Sequence, residues 1–355
     1  MADKCYPVTV TEITGHPNAD RLMLAKVLGF TTVITKGSFN VGEQAWFIET
    51  DSVLPPELEQ RILGGSKISL SAGRVRAAKI RGVVSEGILV HMGMLSDADV
   101  NSILKFEPPT REQTGTHKDR QKYRREYTTE IPRYIDTVRL EKVPKIFGDD
   151  ERVHITSKLH GTSVRYGWAQ LVPQTWWAWT KVWLRRIIGG ATEEFVCGTR
   201  NVDIGTPPLY HEVAERLDLA AKIPRGMVVF GEIIGPGIQK HYDYGYMLPA
   251  LRVYAIQRDG KYLDYEAFRE ITRELKLHPV PLLWTGYWGD IKDKLPALLD
   301  KHNVETIEEL NGCPCREGLV IGTMVERPDR LAGSRAIVKY INPEYLLNKD
   351  NSDDH

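Results

Sequence analysis

Four charged residues stand in segments that otherwise read as buried β-strands. Lys158 ends the run 153–157, and Glu232 interrupts the apolar run Met227–Ile234. Glu317 leads into the run 317–323, and Lys339 lies within 336–341. A charge in an apolar strand is costly unless it is paired or liganded. One such residue would read as a satisfied structural charge. Four of them, in the order Lys, Glu, Glu, Lys, point to a polar pocket built on a sheet.

The rest of the chain has room for such a pocket and for a second unit. Its 355 residues are 42% apolar and 26% charged, enough for two globular cores. Short apolar runs at 6–10, 23–27, 31–34, 44–48, 74–80 and 87–91 are separated by turn residues. That density of short strands fits a small barrel or sandwich, and a barrel of oligonucleotide-binding (OB) type would present a nucleic-acid face. Residues 107–130 carry alternating charges and few aliphatic side chains, which reads as a linker. The expected organisation is an OB domain over 1–105, a linker over 106–131 and a second domain over 132–355. In the second domain a helix is expected after Pro207-Pro208, with Val213, Leu217 and Ala220 on one face. A strand over 251–257 closes at Asp259-Gly260, and Phe268, Ile271 and Leu275 have helical spacing. The fold class is α+β, with largely antiparallel sheets in the second domain.

Composition narrows the partners. Basic and acidic residues balance at 47 each, so nucleic-acid binding would depend on where the cations sit. Arg74, Arg76, Lys79 and Arg81 cluster in one run, where alternation puts Arg74 and Arg76 on one strand face. That face could track a phosphate backbone or simply be solvated, and the sequence leaves both readings open. The four cysteines, including Cys313 and Cys315, form no zinc-like framework. No apolar run is long enough to span a bilayer, and the first residues do not resemble a secretory signal, so no membrane partner and a cytoplasmic location are expected. Residues 176–184 hold four of the eight tryptophans. We read them as a helix packing its aromatic face on the second domain, in preference to an interfacial membrane helix or a base-stacking surface.

The segment Lys158-Leu159-His160-Gly161-Thr162-Ser163 has a lysine at a strand end and a glycine three residues on. Glycine lets the backbone approach a phosphate closely. A lysine is a nucleophile only as the neutral amine. Downstream, Gly198-Thr199-Arg200-Asn201 lies on a strand-to-turn segment.

Together these motifs resemble the covalent nucleotidyltransferases: DNA ligases, RNA ligases and mRNA capping enzymes. Lys158-Leu159-His160-Gly161 resembles the Lys-x-His-Gly branch of RNA ligases. A barrel ahead of the transferase domain resembles RNA ligases of the Deinococcus and Naegleria type. His16 to Leu22 is similar to a segment of tRNA-binding barrels. The resemblance covers nearly the whole chain and implies an ATP-grasp-like transferase domain. It implies ATP as substrate with AMP as a covalent adduct, Mg²⁺ or Mn²⁺ as cofactor, and a role in RNA repair. The implied partner is RNA or nicked duplex nucleic acid, bound by a monomer. By the same resemblance Lys158 attacks the α-phosphate, with Leu159 and Gly161 lining the nucleotide. Arg200 contacts the nucleotide or the 5′-phosphate, and Glu232 binds the ribose hydroxyls. Glu317 helps hold the metal, and Lys339 contacts the α-phosphate. Tyr254 is placed to stack on adenine, and Arg139 near the triphosphate. Two features depart from the family pattern. Ser157 stands where close relatives often have Glu, and Lys339 has Ile337 and Ile341 where a second lysine often flanks it. The competing readings are a ligase for DNA or mixed nicks and a non-catalytic RNA-binding protein with a degenerate pocket. A capping enzyme is disfavoured because little sequence follows Lys339.

Overall fold

The structure is a computed structural model that describes residues 4–65, 69–106, 127–128, 131–135, 137–170, 172–173, 176–187, 193–199, 208–300 and 313–347. Its contacts divide the chain into two units. Residues 138–146 group with the first unit, and the boundary at the far end falls between Lys339 and Tyr340. The expected second domain therefore cedes 138–146 to the first unit. Most of the expected linker, 106–131, lies outside the described residues, as do Arg200 and Asn201.

The first unit is a barrel. Strand β1 (Cys5–Gly15) pairs antiparallel with β4 (Gln44–Ile48) through its first half and with β2 (Leu22–Val27) through its second. The register shifts between Val10 and Glu12, so one curving strand serves two neighbours. Strand β3 (Phe30–Thr35) follows β2, and β5 (Ile88–His91) follows β4. The Glu86 backbone N–H donates to the Thr31 carbonyl at 3.0 Å, and the Thr32 hydroxyl donates to the Glu86 carbonyl at 2.6 Å. These bonds bring the chain just before β5 against β3, closing the ring. The inward side chains Val10, Val27, Phe30 and Phe47 are fully buried.

Two arginines depart from their expected roles, for one physical reason. Arg74 lies outside any strand and is buried. Its Nε donates to Asp51 at 2.8 Å, and its guanidinium lies 3.6 Å from the centre of the Phe106 ring. The regular strand in this run covers only Ala78–Ile80, so Arg74 and Arg76 share no solvated strand face. Arg139, expected near a triphosphate, is 2% exposed. It pairs with Glu141 at 2.9 Å and with Glu86 at 2.8 Å inside the first unit. Carboxylates from the same unit pair with both arginines in its interior. Lys79 and Arg81 are exposed.

The second unit carries two antiparallel sheets. In the first, β6 (Arg152–Lys158) is flanked by β11 (Leu282–Tyr287) and β12 (Gly318–Thr323), with β13 (Ile337–Ile341) beyond β12. In the second, β7 (Thr162–Gln170) lies between β8 (Glu193–Thr199) and β9 (Met227–Ile234), and β10 (Ala250–Arg258) borders β9. Helices α3 (Pro208–Arg216) and α4 (Tyr265–Glu274) bury Tyr210, Val213 and Phe268 against Val229 and Val253. The helix expected to run to Ala220 stops at Arg216. Asp218 takes a left-handed φ of 51°, and Leu219–Lys222 forms a separate turn of helix. Residues 162–170 gave no clear strand signal because Arg165 and Gly167 interrupt them. The Arg165 guanidinium is 1% exposed and donates to the carbonyls of Thr199 at 2.7 Å and Ile131 at 2.8 Å.

The tryptophans do not pack as expected. Helix α2 (Trp176–Ile187) leaves Trp176, Trp177, Trp179 and Trp183 about 60% exposed, and Val182 is the buried member among its described side chains. Among the described residues, no helix is long and apolar enough to cross a membrane.

Breaking a buried ion pair leaves an uncompensated charge, so Arg74→Ala is expected to destabilise the barrel by about 3 kcal/mol. Lys79→Ala is expected to change stability by less than about 0.5 kcal/mol. Denaturant unfolding of the full chain checks this. Equal stability of both variants would contradict the structural role of Arg74.

Candidate active site

The turn 159–161 joins β6 of the first sheet to β7 of the second, so the pocket lies where the sheets meet. Antiparallel register sets what faces what. Lys158 is opposite Gly318, which brings the adjacent Glu317 to the end of β6. Ser163 is opposite Glu232, so both point to one face of the second sheet.

The Lys158 amine donates to Glu317 Oε1, and the Glu317 side chain is fully buried. His160 Nδ1 lies 3.9 Å from the second oxygen of Glu317. Ser163 Oγ donates to Glu232 at 3.1 Å. Burial pushes the Glu232 carboxyl up to about 8, aided by the charge of Glu317 and opposed by Lys158, Ser163 and the Gly161 backbone. The pocket therefore holds one carboxyl group in contact with the lysine and a second that burial keeps largely protonated near neutral pH.

Gly161 allows this convergence. A Cβ there would come within 2.3 Å of the Ile233 carbonyl oxygen and 2.8 Å of Glu232 Cγ. The turn could not approach β9 with any larger residue.

A loop that the sequence analysis did not single out clamps the turn. The His160 N–H donates to the Tyr244 hydroxyl at 2.7 Å, and Gln239 Nε2 donates to the Gly161 carbonyl at 2.7 Å. The Tyr242 ring meets His160 edge-on at 4.8 Å, and its hydroxyl lies 3.6 Å from Cys315 Sγ. His241 and Tyr244 have left-handed φ of 66° and 56°, unfavourable for side-chain-bearing residues. That backbone buries both phenols of the tyrosine pair. The available signal was the spacing of Tyr242, Tyr244 and Tyr246 at every second residue, with Asp243 and Gly245 between them.

The other expected site residues divide. Leu159 is buried in the turn. Lys339 is half-buried on β13, next to β12. The Tyr254 ring packs edge-on to Tyr134 at 4.8 Å, while its hydroxyl interacts with Ser163 and lies near Glu232. It offers the pocket its hydroxyl end. Ser157 is 2% exposed and accepts a hydrogen bond from the equally buried Arg316, so the residue in the usual glutamate position is paired internally. Cys313 and Cys315 form no disulfide.

Paired sheets with a lysine at the strand end and two glutamates around it define a nucleotidyltransferase pocket on a lysine. A family model described as RNA ligase matches residues 151–341, more than half of the chain, and the chain belongs to the RNA ligase family. An OB-fold domain model matches residues 8–92. Solved structures of the Naegleria gruberi RNA ligase have the same fold. The structure with pyrophosphate is 21% identical, with a TM-score of 0.70 over 98% of each chain. A mutant with AMP and manganese is 21% identical, with a TM-score of 0.71 over 98% of this chain and 99% of the other. A mutant with ATP and manganese is 20% identical, with a TM-score of 0.71 over 97% and 98%. No curated protein sequence matches the chain.

The raised Glu232 value predicts a pH effect. Between about 4.5 and about 8 the folded protein holds a proton that the unfolded chain releases. The stability from this group is full below the unfolded value and lost as pH rises through the folded one. Glu232→Gln is expected to remove a slope on the order of 4 kcal/mol across that window. Unfolding of nucleotide-free, metal-free protein at pH 5, 7 and 9 measures it, and parallel profiles for wild type and variant would refute the assignment.

Proposed function

We propose that this protein is an ATP-dependent RNA ligase that joins 5′-phosphate and 3′-hydroxyl ends through a lysyl-AMP on Lys158. The observation that carries the reading is the placement of Lys158 against Glu317, with Glu232 across the turn, in a chain of the RNA ligase family. The relatives that bind ATP, AMP and pyrophosphate support ATP as the nucleotide.

In the first step the neutral Lys158 amine attacks the α-phosphorus. The bond to the bridging oxygen breaks, and pyrophosphate leaves with that electron pair. An oxygen of the RNA 5′-phosphate then attacks the same phosphorus, and the lysine nitrogen departs and regains a proton. Last, the 3′-hydroxyl attacks the activated 5′-phosphate, a new phosphodiester forms and AMP leaves. One covalent lysine thereby splits a difficult condensation into exchanges of similar bonds.

The side chains divide this work. Glu317 orients the Lys158 amine and is the adjacent group to which the departing proton can pass. Glu232, fixed by Ser163 and ultimately by the Tyr254 hydroxyl, is placed to bind the ribose hydroxyls. Gly161 lets the backbone of the turn lie close to a bound phosphate. Lys339 supplies positive charge for the α-phosphate, and Arg200, which lies outside the described residues, is assigned contact with the nucleotide or the 5′-phosphate. Among the described residues no cluster of three or more ligating side chains exists. The carboxylate oxygens of Glu317 nonetheless suit a hard divalent cation, which typically takes one or two carboxylates and completes its shell with phosphates and water. Bound at Glu317, Mg²⁺ or Mn²⁺ would offset the charge that builds on the phosphates.

The barrel provides an RNA surface on which Lys79 and Arg81 are the exposed cations of their run. A nicked duplex is the substrate best suited to a chain that joins such a barrel to the transferase unit. A monomer suffices for this chemistry.

Incubation with α-labelled ATP and Mg²⁺ or Mn²⁺, followed by nicked RNA, tests the reading. Wild type is expected to form an acid-labile adduct that is chased into sealed RNA, and Glu317→Ala to lower adduct formation by at least about a hundredfold. A labelled adduct with GTP alone, or no adduct with either nucleotide, would overturn it.

A further inference from the structure

Helix α2 is inserted into a hairpin that does not need it. β7 and β8 pair in unbroken register from Val164↔Thr199 to Gln170↔Glu193. The described residues between Gln170 and Glu193 are Val172–Pro173, which pairs with Tyr127–Thr128, and helix α2, and both lie beyond the last pair of the hairpin. A turn of a few residues could join the strands instead. What the insertion adds is an exposed apolar face. Trp176, Trp177, Trp179, Trp183, Leu184 and Ile187 are each more than half exposed. At 3.6 residues per turn they fall within an arc of about 160°, with the buried Val182 outside it. A patch of this kind marks an interaction site.

The chemistry of the face narrows its partner. The helix carries Lys181, Arg185 and Arg186 and no acidic residue, in a chain whose charges otherwise balance. The one hydroxyl on the arc, Thr180, donates to the Trp177 carbonyl of its own helix. The face thus offers rings, on a helix whose charged residues are all basic, with little hydrogen-bond readout. The Trp176 and Trp177 rings stack on each other at 3.6 Å, which leaves their outer faces for further stacking. Aromatic platforms beside cations bind unpaired nucleic-acid strands irrespective of sequence.

We propose that α2 is a second RNA contact, a platform on which unpaired bases of the substrate stack at a distance from the reacting ends. This rests on the RNA ligase reading of the pocket. The hairpin sets the distance. Ser163, at the pocket, and Gln170, at the tip, are separated along β7 by about 23 Å. At about 3.4 Å per stacked nucleotide, the platform lies about seven nucleotides from the site of joining. A strand shorter than that cannot reach it.

The test replaces Trp176, Trp177, Trp179 and Trp183 with serine in the full chain. Sealing is compared on substrates whose unpaired strand runs about 4 or about 12 nucleotides from the join, lengths chosen either side of that reach. Adduct formation with ATP and sealing of the short substrate should match wild type. KM for the long substrate should rise at least about tenfold, as expected for losing one or two base stacks. The matching phenylalanine set should restore the long-substrate KM, because it keeps the rings. Quenching of tryptophan fluorescence by the 12-nucleotide strand gives a readout independent of catalysis, so a wild type that binds but does not seal separates failure of the ligase reading from failure of this one. Equal KM for wild type and the serine variant on the long substrate would overturn the proposal, as would equal losses on both substrates. Tryptophan-dependent binding to vesicles of phosphatidylglycerol and phosphatidylcholine, without quenching by RNA, would also overturn it and assign the face to a lipid surface.

Discussion

The contact between Lys158 and Glu317 organises the second unit. Both groups sit at the ends of adjacent strands of one sheet, and the glutamate is fully buried. A carboxylate so placed is tolerated because a cation meets it. The same logic keeps Glu232 from ionising fully: a second negative charge in the same pocket, removed from water, is held off by raising its proton affinity. The pocket thus holds a lysine against one carboxyl group and keeps the other largely protonated. That asymmetry between two glutamates makes the site suited to a triphosphate, which brings its own negative charge.

Geometry around the pair is enforced from outside it. The turn 159–161 can pass close to β9 only with glycine at 161, and its backbone is pinned by Tyr244 and Gln239. The loop that carries them holds two non-glycine residues in left-handed conformations, and such strain persists only where surrounding contacts over-determine it. Glycine, strained loop and tyrosine pair together fix where the lysine points before any nucleotide arrives, which lowers the cost of ordering the reactive geometry.

Much of this was legible in the sequence because charge inside an apolar strand is a conspicuous signal. Lys158, Glu232, Glu317 and Lys339 stood out that way, the structure brings the first three together, and β9 was bounded correctly at Met227–Ile234. The arginines show where that logic fails. Arg74 and Arg139 look like phosphate ligands in one dimension, but Asp51, Glu86 and Glu141 neutralise them, and periodicity does not reveal which carboxylate folds back onto which cation. Ser157 is similar: its partner Arg316 lies across the sheet, far away in sequence. The tryptophan run misled in the opposite direction. Aromatic density was read as burial, yet the helix sits on a hairpin already complete without it, so the core has no face left for the rings.

The claim on which the account rests is that Lys158, held by Glu317, is the nucleophile. The most direct measurement is peptide mapping by mass spectrometry of wild-type protein after incubation with ATP and a divalent metal, with the phosphoramide preserved at neutral to basic pH. The account predicts AMP on Lys158 and on no other lysine, and no adduct in Lys158→Ala. AMP on Lys339 or any other lysine, or an adduct that survives Lys158→Ala, would contradict it.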